Sequence, residues 1–540
     1  MKKKVVNELI NILQNLNIDI KNVNINISSP KNKKFGDLST NISFQISKIL
    51  NQAPMEVANK ICNEINNSDS NLFTKVDAIE PGFINFYLNP IFLNKSLLKI
   101  IKKADDYGKN TTGKNQKVLV EFVSANPTGP LTVGHGRGAI IGDVISNIFK
   151  WNGYDVDREY YYNNAGRQMR ILGESVKSRY LEIINENSIF PEDGYHGEYI
   201  KDIAKKLYEK DKNLCKNTDN NVFKNFAEKF VFNEINNTLK NLGINFNSFF
   251  NENSLYENKD IYNIIDKLKE KGLIYNKDNA TWFKGTAVGR ESDRVLIKSS
   301  GEPTYRLPDM AYHVNKLDRG FDLCIDVFGA DHMDAYPDVL EVVHQLGYDK
   351  NKINVLIHQF ISIVDNGKPV KMSTRKANFI TLDQLINETN KDVVRYFFIM
   401  RSMNSHLNFD LGVAKEKSEK NPVYYIQYAY ARISNINNNV DFKVNNANLD
   451  LLNDDAEIKL ISKINDFEEL ILKIKKSMEP QNLATYLHEL SAMFHKYYAK
   501  HRIINNDLEL SKARIILINS IAITIKNGLE ILGISAPKRM

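Results

Sequence analysis

The stretch Val118-Leu-Val-Glu-Phe-Val-Ser-Ala-Asn-Pro-Thr-Gly-Pro-Leu-Thr-Val-Gly-His-Gly-Arg-Gly138 constrains the fold more than any other part of this chain. Its first six residues are apolar or β-branched except for Glu121, the pattern of a buried strand. A Pro/Gly turn follows. A helix then opens at Gly134-His135-Gly136 with Ile140, Ile141, Val144, Ile145, Ile148 and Phe149 at helical spacing, and Gly153 closes it. A strand feeding a glycine-lined helix start suits phosphate, because free backbone N–H groups and the positive helix end favour an anion there. His135 on that first turn is placed to donate to a phosphate oxygen. Such a turn is also often only a tight connection, so the segment alone does not decide the matter.

A second stretch, Lys368-Pro-Val-Lys-Met-Ser-Thr-Arg-Lys-Ala-Asn378, is a cation-rich loop between apolar runs. A solvated charged loop is the ordinary reading of such a run. Together the two stretches resemble the paired HIGH and KMSKS signatures of class I aminoacyl-tRNA synthetases, and their surroundings narrow the resemblance to arginyl-tRNA synthetases. Two positions depart from the signatures. Thr132 stands where the first histidine of HIGH is expected, and Thr374 stands at the second lysine of KMSKS, followed by Arg375 and Lys376. Either cation is able to supply the missing charge. The compensating lysine that some relatives carry upstream of HIGH has no counterpart in Pro127-Thr-Gly-Pro130.

At 540 residues the chain exceeds the ~250–300 at which single cores stop growing, so several domains are expected. Its 42% hydrophobic and 25% charged residues fit an ordinary globular protein. No apolar run approaches the ~20 residues of a membrane span. Asn7, Glu8 and Asn11 interrupt the apolar segment behind Met1-Lys-Lys-Lys, which argues against export and for a cytoplasmic location. Cys62, Cys215 and Cys324 form no CxxC pair, so no zinc site or disulfide scaffold is implied. The net charge of +7 suits a polyanionic partner without requiring one.

The expected architecture is α/β, in three parts. Residues 1–100 read as an α/β module, closing with the turn and aromatic strand Ile79-Glu-Pro-Gly-Phe-Ile-Asn-Phe-Tyr-Leu88; Tyr107 to Gln116 reads as a linker. From 117 to 415, strand-like runs (Val118–Val123, Ile325–Phe328, Val355–Ile363) alternate with helical patterns such as Asp338–Gln345. That alternation predicts a Rossmann-like parallel sheet, with an Asn-, Lys- and Glu-rich helical insertion at about 180–280 between its halves. From 420 to 540 the pattern is all-α. Ile458, Ile461, Ile464, Phe467, Ile471 and Ile474 form one apolar stripe ended by Pro480, and Asn435–Asn448 reads as a surface loop. By resemblance these parts are an N-terminal additional tRNA-binding domain, a class I catalytic domain and an anticodon-binding domain. Gly36-Asp37 and Pro81-Gly82-Phe83-Ile84-Asn85 carry the first likeness; the 391–432 segment, Phe494–Tyr498 and the Ser535-Ala-Pro-Lys-Arg-Met540 end carry the last.

Amino-acid activation expels pyrophosphate from ATP and needs alignment and charge stabilisation more than covalent help. His135, Lys371, Thr132 and Ser373 are the expected catalytic donors. Pro127, Gly134, His135, Gly136, Lys371, Met372 and Ser373 form the expected ATP site, the two glycines leaving room for the nucleotide. Tyr305-Arg-Leu-Pro-Asp309 matches the family pair that grips a guanidinium, whose planar donor fork a carboxylate suits. In isolation these would be a core tyrosine and a turn aspartate. Glu121, Ser124 and Asn126 resemble residues that position the amino acid, and a glutamate in an apolar strand is costly unless paired. Asp331 and His332, in Gly329-Ala-Asp-His332 at the end of another strand, are assigned to the same pocket. Asn163–Gln168 and Tyr195–Tyr199 resemble family segments whose roles stay open. Tyr424, Tyr425, Gln427, Tyr428 and Arg432, with Met540, are the expected tRNA contacts, since aromatics beside polar groups suit unstacked bases.

The resemblance therefore implies an arginine–tRNA ligase that uses ATP with Mg²⁺ and no dedicated protein metal site. Its partners would be L-arginine and tRNA(Arg), and it would act as a monomer with no membrane association. Two other readings compete with this one. A nucleotidylyltransferase sharing the histidine signature would not need the flanking modules. A non-catalytic tRNA-binding paralogue would not need Gly134, His135, Lys371, Tyr305 and Asp309. The family also implies amino-acid activation that depends on bound tRNA, and Lys391–Arg401 joins the signature loop to the helical domain almost directly.

Overall fold

The computed structural model describes residues 1–28, 30, 32–370 and 380–540. The chain opens with the helix Lys2–Asn15 and continues into a four-stranded antiparallel sheet. Its order is Ile27–Ser28, Leu38–Thr40, Phe83–Leu88, Phe73–Ile79, and the helices Ile42–Leu50 and Pro54–Asn66 accompany it. Asp37 closes this module by accepting the Leu88 N–H at 2.9 Å.

The central sheet is parallel throughout, in the order Ile353–His358, Leu323–Gly329, Lys117–Glu121, Asp155–Tyr162, Ser248–Asn251. Its last strand lies inside the segment expected to be a helical insertion. Residues 180–280 therefore complete the sheet, although the helices Glu198–Lys210 and Asn220–Asn241 also fall there. A separate three-stranded antiparallel sheet, Arg294–Ile297, Ala280–Phe283, Ile274–Lys277, follows it. The run expected as one strand from Val355 to Ile363 breaks at Gln359. Ile361–Asp365 leaves the central sheet and joins a small sheet with Lys368–Pro369 and Leu407–Asp410.

The C-terminal part packs the helices Pro422–Asn438, Asp455–Asn465, Phe467–Ser477, Gln481–Lys500 and Leu508–Ile531. The apolar stripe read as one helix is thus two, broken at Asp466, because the spacing continues in phase across the break. The Asn-rich stretch opens with the last residues of the helix Pro422–Asn438, and Val440, Phe442 and Val444 within it lean on the core rather than into solvent.

The expected linker is a packed wedge. Asn110 and Gly113 donate backbone N–H groups to the carbonyls of Trp151 and Asn152, at 3.0 and 2.8 Å. Tyr107 donates its hydroxyl to the Ile464 carbonyl at 2.7 Å. Gly108 is required here, because a Cβ would stand 2.5 Å from the Phe467 ring. The helix Pro90–Lys103 packs on the C-terminal helices, with Asn94 donating to the Leu449 and Leu452 carbonyls. No helix among the described residues is long and apolar enough to cross a membrane.

Candidate active site

The helix Val133–Trp151 starts at the carboxyl end of the central strand Lys117–Glu121, where open α/β sheets bind ligands. His135 Nδ1 accepts the Thr132 backbone N–H at 3.2 Å, and the Thr132 hydroxyl lies 3.3 Å from the same nitrogen. The ring proton therefore sits on Nε2, free to donate. Burial lowers the His135 pKa, opposed by the Asp331 carboxylate, so the ring is a neutral donor. The two glycines differ. A Cβ on Gly134 would meet only the Thr132 hydroxyl, at 3.6 Å, so its backbone is open to a ligand. At Gly136 a Cβ would lie 2.6 Å from Leu382 and 2.9 Å from Phe398. Gly136 therefore permits helix packing and leaves no room for a nucleotide, contrary to expectation.

Lys371, Met372 and Ser373, with Thr374, Arg375 and Lys376, lie outside the described residues. Their flanks are fixed. Val370 donates its N–H to the Ile363 carbonyl at 2.9 Å; Thr381 bridges Thr132, and the Leu382 N–H reaches the Leu131 carbonyl at 2.9 Å. The residues that follow the loop thus meet the turn that precedes His135. Pro127 in that turn is buried, and Tyr199 braces the turn by donating to the Thr128 carbonyl at 2.8 Å.

The amino-acid side of the site begins with a row of acids. Sheet register places Glu121 beside Asp326 on one strand and Glu159 on the other. Three buried carboxylates in a row would be prohibitive unpaired. The helix Arg306–Asp318 and its end supply the cations. Lys316 reaches Glu121 at 2.5 Å and Asp326 at 2.6 Å, and Arg319 grips Glu159 in two bonds of 2.6 Å. Burial raises the Glu121 pKa more than Lys316 lowers it. For Asp326 the burial penalty is outweighed by Lys316 and His313, which hold its carboxyl well below the ordinary range. Glu121 is therefore spent on Lys316 and on the Ser124 hydroxyl, which donates at 2.8 Å. Val123 and Ser124 take positive φ values of 69° and 45°, a strained kink that re-aims the chain at the strand end.

Asp309 stands apart. Burial pushes its pKa up to about 6; His313 and His332 oppose this, while Glu121 and Glu252 add to it. No ion pair or side-chain hydrogen bond engages its carboxylate among the described residues. Glu252, which the sequence reading missed, follows the edge strand. It accepts the Tyr161 hydroxyl and the Asn163 amide, both at 2.7 Å, and burial raises its pKa despite those bonds. Asn126 is held by Asn163 N–H at 3.0 Å and donates to Gln168 at 3.1 Å, which gives the 163–168 segment a positioning role. Tyr305 is 84% exposed at the start of the helix that carries Asp309. Asp331 and His332 are exposed, with the His332 ring stacked on Phe328 at 4.9 Å.

On the helical part, Tyr424, Tyr428 and Arg432 repeat at i, i+4, i+8 along one face. The two rings stack 6.1 Å apart, and Arg432 lies over Tyr428 at 4.4 Å and over Tyr498 at 4.9 Å. Tyr425 packs on His495 and His488. Gln427 does not join them. It is buried, donating to Asp392 and to the Ser535 carbonyl, both at 2.9 Å, and so latches the chain end to the catalytic part. Met540 is exposed beyond that latch. A second latch lies nearby: buried Arg395 donates to the Leu532 carbonyl at 2.7 Å and to Asp143 of the His135 helix at 2.5 Å.

Comparison with known proteins agrees with this geometry. Family profiles match in three consecutive stretches: arginyl tRNA synthetase N terminal domain over residues 1–88, tRNA synthetases class I (R), catalytic domain, over 96–405, and DALR anticodon binding domain over 426–540. An arginine–tRNA ligase of Desulfotalea psychrophila is 46% identical over 521 residues, covering 95% of this chain and 94% of its own. One from Chlorobaculum tepidum is 46% identical, covering 96% of each. The solved Thermus thermophilus arginyl-tRNA synthetase superposes with a TM-score of 0.77 over the whole of both chains, at 19% identity, which supports the fold. Matched by these profiles along nearly its whole length and by relatives at 46% identity, this chain belongs to the arginyl-tRNA synthetases of class I.

Proposed function

We propose that Asp309, with Glu252 behind it, holds the guanidinium of L-arginine, while Gly134 and His135 face ATP. Charging tRNA with arginine at the expense of ATP is the reaction of this family. The observation that carries the residue assignment is the Asp309 carboxylate, half-buried near Glu121 and Glu252 and making no ion pair among the described residues. A guanidinium is the ligand that relieves that charge, offering a planar fork of donors.

In the first step an arginine carboxylate oxygen bonds to the α-phosphorus of ATP as the bond to the pyrophosphate oxygen breaks. His135 Nε2–H donates to the charge that develops on the phosphate oxygens, and Lys371 adds its charge to the same oxygens. In the second step a hydroxyl of the tRNA 3′ terminus attacks the carbonyl carbon and AMP leaves. Mg²⁺ accompanies the nucleotide in this reading, and the chain acts as a cytoplasmic monomer. Residues 1–100, 117–415 and 420–540 serve as elbow-binding, catalytic and anticodon-binding units. The Tyr424–Tyr428–Arg432 face stacks unpaired bases, which is worth about 1–3 kcal/mol per base. The test is aminoacylation with a panel of amino acids and total tRNA: charging restricted to arginine supports the reading, and charging with another amino acid overturns it.

A further inference from the structure

Three arginines converge on one carboxylate beside the arginine pocket. Asp338, buried in the first turn of the helix Tyr336–Gln345, accepts from Arg290 Nε at 2.9 Å, Arg294 Nε at 3.0 Å and Arg306 Nε at 3.2 Å. All three bonds use Nε. Among the described residues no hydrogen bond engages any of their Nη groups, and the three side chains are partly exposed. One anion against three cations leaves two positive charges uncompensated, with donor forks free. Among the described residues neither neighbouring acid makes an ion pair with any of the three: Asp293 accepts from Thr286 and Tyr275, and Glu291 pairs with none of them. Two helix starts, at Arg306 and Tyr336, both without a side-chain cap, add the positive ends of their dipoles.

We infer that Arg290, Arg294 and Arg306 form a phosphate site for the backbone of the single-stranded 3′ end of tRNA. Bidentate guanidinium forks match phosphate geometry, and Asp338 holds them so that little ordering entropy is lost on binding. Arg306 lies three residues before Asp309 on the same helix, so the cluster flanks the place where an acceptor strand must arrive. The ATP-facing groups, Gly134 and His135, stand on a different helix. The inference rests on arginine being held at Asp309.

The test is titration of the full chain with tRNA(Arg) across about 50–200 mM salt, using Arg290→Gln/Arg306→Gln and leaving Arg294 to hold Asp338. The slope of log affinity against log salt should fall by about 0.7 for each phosphate that is no longer neutralised, with weaker binding at low salt. Arg306→Lys, which keeps the charge, should retain the wild-type slope. With tRNA lacking its single-stranded 3′ nucleotides, wild type and double variant should bind alike, and KM for ATP should be unchanged. An unaltered slope with intact tRNA overturns the proposal, as does a defect that persists with the shortened tRNA. A raised KM for ATP would move the site to the triphosphate and equally overturn it. An unchanged arginine KM in Asp309→Asn would unseat the pocket instead, a readout separate from the salt slope.

Discussion

Asp309→Asn should make the free protein more stable and nearly useless for arginine. Burial holds the Asp309 pKa at about 6, against an ordinary 3.8, so keeping the carboxylate ionised at pH 7 costs about 3 kcal/mol at about 1.36 kcal/mol per pKa unit. Its place in the first helical turn returns about 0.3–1 kcal/mol of that, leaving an expected gain of about 2–3 kcal/mol for the neutral amide. The sign with pH follows from a folded pKa above the unfolded one. Above pH 6 the group is ionised in both states and the wild type carries the full cost. As pH falls toward 3.8 the folded state takes the proton first, and the advantage of the variant fades to nothing. Arginine recognition runs the other way: losing the charge partner of a buried guanidinium should cost about 3–5 kcal/mol in kcat/KM for arginine, with KM for ATP nearly unchanged. In the wild type, kcat/KM for arginine should drop about tenfold per pH unit below 6. Denaturant melts at pH 7 and pH 4, with steady-state kinetics, read all of this. Equal stability at pH 7 would show that Asp309 is not desolvated, and an unchanged kcat/KM would remove it from the pocket.

His135→Ala should lower kcat by about 10²-fold with KM for ATP moved only a few-fold, because Nε2–H acts on charge that develops in the transition state; rapid-quench kinetics showing a KM effect alone would contradict this. Gly136→Ala should destabilise the fold by about 1–3 kcal/mol in a urea melt, its Cβ crowding Leu382, whereas Gly134→Ala should leave the melt intact and raise KM for ATP. ATP–pyrophosphate exchange should be negligible without tRNA and restored by cognate tRNA, the helix Lys391–Ile399 linking the base-stacking face to the His135 helix through Gln427, Asp392 and Arg395. Robust exchange with arginine and ATP alone would sink that coupling.

What the sequence makes legible is local. The turn before His135 announces itself because strand, punctuation and helix period follow one another within about twenty residues. Asp309 is reached through its neighbours in the chain. The misses are long-range. Nothing near Glu121 in the chain announces Lys316, its partner 195 residues away. Ser248–Asn251 is a four-residue strand amid polar residues, and pairing with the run from Glu159 to Tyr162 makes it part of the sheet. Glu252 falls with it. Gln427 sits in an aromatic run that looks like a binding face, yet its burial is set by Ser535, at the far end of the chain. The break at Asp466 leaves no mark in the apolar spacing, which stays in phase across it.

The Arg395 latch bears on how the chain is made. Arg395 is fully buried, and one of its acceptors, the Leu532 carbonyl, lies 137 residues further along the chain; Asn147 on the His135 helix likewise donates to the Ile531 carbonyl at 3.0 Å. Until those residues emerge from the ribosome, a guanidinium in the middle of the catalytic half lacks a partner it is built around. A nascent chain stopped before Ile531 would carry every group of the active site and still present an unfinished interior. Such products should be cleared by proteases, so that truncated copies do not compete for tRNA.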